Sequence, residues 1–140
     1  DHPRTWFKHT APPIQMQLGP TIHYAMEGPQ ADMEWDALTP YDGIIHLGEG
    51  DNRQPYSIAM FHQLRCLNII RKNMAEINAS NRTSEISYLT RHCMNYFRQI
   101  ILCDADIHLE PCLGTKANVH PDVRACRDWT VVYEELEKNL

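Results

Sequence analysis

The sequence predicts a mainly α fold: a central antiparallel helix hairpin, a C-terminal helix, a small β element and an extended N-terminal arm. Three observations carry this expectation. Apolar residues recur at three- and four-residue steps over residues 56–77 and again over 84–103, the run between them is polar, and residues 1–20 hold Pro3, Pro12, Pro13 and Pro20 with little periodicity. The 140 residues fit one domain at 21–140 behind an arm at 1–20. A chain of this length buries about two-thirds of its unfolded surface and needs no cofactor for a stable core.

Taken in order, the arm reads as extended chain laid on the surface or disordered. Residues 21–26 alternate Ile22, Tyr24 and Met26, and Gly43 and Gly48 bracket the apolar run Ile44-Ile45-His46-Leu47, so two short strands are expected to pair as a ribbon. Residues 34–38, before Pro40, read as one helical turn with Trp35 and Leu38 inward. The first hairpin helix places Met60, Leu64, Leu67, Met74 and Ile77 on one core stripe, and Ile58, His62, Arg65, Cys66 and Ile69 on a second, mixed face. A helix covered on both sides sits centrally. Ser84-Glu85 opens the second helix, whose apolar stripe is Leu89, Cys93, Tyr96, Ile100 and Cys103, flanked by His92 and Gln99. Residues 104–111 are an acidic loop ending at Pro111. Residues 122–138 read as the last helix, with Val123, Cys126, Val131, Tyr133 and Leu136 available for burial.

Composition excludes some functions. The 13 Lys+Arg against 18 Asp+Glu give a net charge of -5 with no basic stripe, so the footprint that nucleic-acid phosphates require is missing. No run approaches the ~18 apolar residues that span a bilayer, and the start at Asp1 shows no signal peptide, so membrane attachment is expected only through an anchor absent from this chain. Five cysteines with no C-x-x-C spacing favour disulfides over a zinc site. The sequons Asn78-Ala79-Ser80 and Asn81-Arg82-Thr83 fit glycosylation in a secretory lumen.

The chemistry concentrates in two related helical segments, His62-Gln63-Leu64-Arg65-Cys66 and Leu89-Thr90-Arg91-His92-Cys93. Together with the Trp35 turn, the stretch from Phe61 to Arg71, the loop from Cys103 to Pro111 and the run Cys126-Arg127-Asp128-Trp129, they make the chain resemble the UstYa-like family of fungal mycotoxin-biosynthesis proteins. That resemblance implies a lumenal, membrane-anchored protein of the secretory pathway that acts on a small-molecule or peptide-derived intermediate. It also implies oxidative cyclisation, hydroxylation or halogenation, through a doubled H-x-x-H-C motif thought to bind copper. Here arginine replaces the second histidine of the first motif and leucine the first histidine of the second. Arg65 has no lone pair to give a metal, and its charge opposes a cation.

With the turn centred near Ser80, antiparallel partners sum to about 160, which puts Cys66 and Cys93 level and permits a disulfide. The same register offsets His62 from His92 by about six residues, or ~9 Å of helix rise. A copper site on these two rings alone is strained and short of ligands, unless His108 from the acidic loop completes it. His92 beside an apolar stripe also reads as an ordinary structural group, and Arg65 as a partner of Asp104, Asp106 or Glu110. Tyr56, Tyr88 and Tyr96 are packing residues whose hydroxyls could line a pocket.

Three functions follow. In the first, no cofactor is used: Arg65, with His62, His92, Tyr96 or His108, polarises a carbonyl and moves a proton to cyclise or isomerise a natural-product intermediate. In the second, His62, His92 and His108 hold copper for oxidation. In the third, the chain is a non-catalytic partner that pairs with a fully liganded relative, as a homo- or hetero-oligomer of family members.

Overall fold

The computed structural model describes residues 5–6, 12–80, 85–110 and 122–140. The elements run β1 (Pro13–Leu18), α1 (Pro29–Ala37), β2 (Ile44–Leu47), β3 (Gln54–Ser57), α2 (Ala59–Ala79), α3 (Tyr88–Asp104), β4 (Asp122–Arg127) and α4 (Thr130–Lys138). Mainly helical, with the expected hairpin and C-terminal helix, the chain divides into two compact units. Among the described residues no helix is long and apolar enough to cross a membrane.

One unit holds the strands and α4. β1 pairs antiparallel with β4, from Pro13 opposite Arg127 to Leu18 opposite Asp122. The stretch expected as an extended or disordered arm therefore contains a strand, with Ile14, Met16 and Leu18 on its more covered face. Its partner was expected as the start of the last helix. Two-residue periodicity wins there, because Arg124 and Cys126 turn inward while Val123 stays exposed. β2 forms as expected, but it pairs with β3 and not with residues 21–26. Asn139, just past α4, grips β2: His46 N–H donates to Asn139 Oδ1 at 2.8 Å, and Asn139 Nδ2 donates to the His46 carbonyl at 3.2 Å. Ile45 and Leu136 are fully buried.

The other unit is residues 22–43 and 59–108. Residues 22–26 form no strand: Ile22 is exposed and Tyr24 is left-handed at φ 59°. Side chains of α1 and α2 tie this segment down instead. Glu34 accepts from His23 Nδ1 and from Tyr24 N–H, Trp35 Nε1 donates to the Ala25 carbonyl, and Arg71 Nη1 donates to the Met26 carbonyl. α1 runs nine residues from Pro29, which suits a first helical position because its missing N–H leaves nothing unsatisfied there.

The expected core stripe of α2 is displaced. Leu67 and Met74 are exposed, and the buried residues are Phe61, Cys66, Asn68, Arg71 and Asn73. The physical reason is a polar network that lets charged groups sit inside. Arg71 donates to Asp32 Oδ1 (2.7 Å), Asn68 Oδ1 (2.9 Å) and the Met26 carbonyl (2.9 Å), while Asn68 donates to Asp36 (2.7 Å). Each buried polar side chain in this network has a partner, which is the condition for burying it at all. On the other face Cys66 and Asn73 meet α3, so α2 is covered on two sides. α3 starts three residues later than expected: Ser87 is its N-cap, accepting from Thr90 N–H, and Asn73 Oδ1 accepts from Ser87 N–H.

Candidate functional site

A disulfide joins Cys66 on α2 to Cys93 on α3, with Cα atoms 5.0 Å apart and both residues buried. It pins the hairpin so that level residues sum to 159. His62, one turn before Cys66, then stands opposite Tyr96 and Phe97. Its imidazole stacks on the Tyr96 ring with centroids 4.1 Å apart and planes inclined by 22°. The His92 ring lies 6.3 Å from it, also inclined by 22°. The rings thus approach more closely than the ~9 Å helix offset of the hairpin suggests.

His62 is half-buried, and three influences hold its proton affinity below the ordinary imidazole value: burial first, then the neighbouring His92, then the Arg65 guanidinium. A neutral imidazole that can accept a proton is the result. Arg65 does not pair with the acidic loop. Its Nε lies 4.0 Å from Asp42 Oδ1, in the turn Pro40–Gly43. Asp42 escaped the sequence reading because nothing local links it to α2. The available signal was the Pro40-Tyr41-Asp42-Gly43 run itself, a turn tetrapeptide immediately before a strand.

The hairpin therefore brings together His62, Arg65, His92 and Tyr96. His108 lies in the exposed stretch after α3, where its backbone N–H donates to Asp106 Oδ1. Tyr88 is 82% exposed at the start of α3, and Tyr56 lies on β3. Cys103 and Cys126 carry free thiols; Cys112 and the sequon at Asn81 lie outside the described residues.

Copper can be tested against these donors. Two imidazoles converge, the positions of the other two motif histidines hold Arg65 and an exposed Leu89, and among the described residues no three His, Cys, Asp or Glu side chains gather closely enough to hold an ion. That donor set does not fit a copper centre of three or more ligands.

Residues 18–134 match the family described as Mycotoxin biosynthesis protein UstYa. The chain belongs to the UstYa family. It is similar to the hydroxylase cctR of Talaromyces islandicus, at 24% identity over 119 residues, which cover 83% of this chain and 45% of that protein. The chain thus spans less than half the length of that curated relative. No solved structure matches it. Within this UstYa-family chain, the disulfide-pinned helix pair carries both altered motifs and the stacked rings.

Proposed function

We propose that this UstYa-family chain is a biosynthetic enzyme of fungal secondary metabolism that cyclises or isomerises a natural-product intermediate by proton transfer, without a metal. The observation that carries this reading is the His62 imidazole, stacked on Tyr96, kept short of its usual proton affinity, and one helical turn from a guanidinium. Neutral His62 removes a proton from carbon next to a substrate carbonyl, Arg65 stabilises the oxyanion that develops, and Tyr96 or His92 returns a proton to the rearranged skeleton. No electrons leave the substrate, so no oxidant is required.

The test uses the full chain, a chelator and crude pathway intermediates. Turnover should persist in chelator, and His62→Ala or Arg65→Ala should lower the rate by about 10²-fold or more with folding intact. Dependence on added copper would overturn the reading.

The name of the relative, a hydroxylase, favours a second reading, copper-dependent oxidation at His62 and His92 with ligands from His108, from outside the described residues or from a second family member. Metal content of protein purified without chelator decides between them. A stoichiometric ion lost in His62→Ala supports oxidation. A chain inactive alone that becomes necessary when mixed with a liganded relative would instead be its non-catalytic partner.

The Cys66–Cys93 disulfide supports placement in the oxidising lumen of the secretory pathway, with any membrane anchor lying outside this chain.

A further inference from the structure

The backbone beside His62 holds a rare conformation. Tyr41 (φ 54°, ψ 30°) and Asp42 (φ 57°, ψ 14°) are successive non-glycine residues in the left-handed region, and Gly43 follows at φ 65°. Aspartate tolerates this region better than most residues with a Cβ, whereas a tyrosine is seldom found there. The last residue of this turn is packed against α2. Gly43 backs so closely onto Phe61 that a Cβ at that position would overlap the Phe61 side chain, and Phe61 is fully buried directly before His62. Docked this way, the turn brings the Asp42 carboxylate to 4.0 Å from Arg65 Nε. Asp42 is 73% exposed and Arg65 is 40% exposed, so a ligand can reach the pair.

We propose that Asp42 is a positioning residue for Arg65: the left-handed turn holds its carboxylate at the Nε edge of the guanidinium, leaving the outer Nη edge to face a planar, conjugated oxyanion of the substrate, a carboxylate or enolate. This rests on the reading of Arg65 given above and extends it to the substrate's chemical class. A long arginine side chain loses directional use when it wanders. A charge on one edge narrows that freedom and leaves the fork able to meet two oxygens side by side.

The experiment titrates the full chain with benzoate, a planar carboxylate, and follows the Arg65 Nε–H and His62 ring signals by NMR. Both signals should move on titration, and Arg65→Met should abolish the response. Asp42→Asn keeps the size of the side chain and tolerates the left-handed backbone. It should weaken benzoate binding about two- to fivefold, the span expected of an exposed charge pair, and collapse the distinct Arg65 Nε–H signal. Asp42→Gly should weaken binding equally with its unfolding midpoint unchanged or raised. Asp42→Asn with wild-type affinity and an unaltered Nε–H signal overturns the positioning role while the reading of Arg65 stands. Benzoate that leaves both wild-type signals unmoved, or that binds Arg65→Met equally well, overturns that reading and the positioning role together.

Discussion

The His62 imidazole lies flat on the Tyr96 ring, the two centroids 4.1 Å apart. One ring comes from each helix of the hairpin, so the stack reports directly on how α2 and α3 are held.

Tyr96→Ala should raise the proton affinity of His62 toward the ordinary value of about 6.5, because the ring that helps to bury it is gone. Tyr96→Phe keeps the covering ring and should leave the titration where it is. An NMR titration of the His62 ring in the three proteins checks both outcomes, and equal midpoints for Tyr96→Ala and wild type would sever the link between stacking and proton affinity.

The same depression makes folding depend on pH. Between the lowered folded value and the unfolded value of about 6.5, the unfolded chain binds a proton that the folded chain does not. Stability contributed by neutral His62 is therefore present at neutral pH and is lost as pH falls below that unfolded value. Denaturant unfolding across this window should show a slope that His62→Gln removes. At lower pH a second group acts. Glu34, held at about 2 by His23, the Tyr24 N–H and Gln30, stabilises the fold above the ordinary carboxylate range and loses that effect as pH falls toward its folded value.

Reduction of Cys66–Cys93 should destabilise the hairpin by about 3–4 kcal/mol, from the chain entropy released when a loop of this length opens. The bridge closes a sequence separation of 27 residues. Unfolding with and without reductant measures the loss. The His62–Tyr96 ring contact should weaken in the reduced protein before it unfolds globally.

Arg71→Met should cost about 2–4 kcal/mol, since it leaves the buried Asn68 oxygen and the Met26 carbonyl without their donor. Arg71→Lys should not rescue the loss. One ammonium cannot span acceptors that three separate nitrogens of the guanidinium reach. Urea unfolding of the two variants checks this, and full stability in Arg71→Lys would reduce the network to a single charge contact.

The helix hairpin and its staple were legible in the sequence because both are local or nearly so. In α3 the expected stripe holds at Cys93, Tyr96 and Ile100, while Leu89 and Cys103 at its ends are exposed, and a turn centred near Ser80 sets a register that permits the Cys66–Cys93 bridge. What escaped has a different origin. Asn68 and Arg71 look like solvent-facing residues until Asp32, Asp36 and the Met26 carbonyl are known to stand opposite them, so the true buried face of α2 lies beside the one its aliphatic residues suggest. β1 and β4 were missed because each strand is defined by a partner more than a hundred positions away, although Ile14, Met16 and Leu18 do alternate. Within the site, His62, Arg65 and His92 follow from the two motifs, and Tyr96 from the apolar stripe of α3. The Pro40-Tyr41-Asp42-Gly43 run announces a turn, but nothing local announces that it docks on Phe61 and sets Asp42 beside Arg65.

The pairing of β1 with β4 also sets an order of events during synthesis. On the ribosome, the α2–α3 hairpin can close as soon as Asp104 has emerged, whereas the strand at 13–18 must wait, its edge bare, until Arg127 is made. Through that interval β1 is an open template for other chains. Among the described strands, β1 is therefore the one whose partner is made latest after it, and its edge is the one that must stay protected longest.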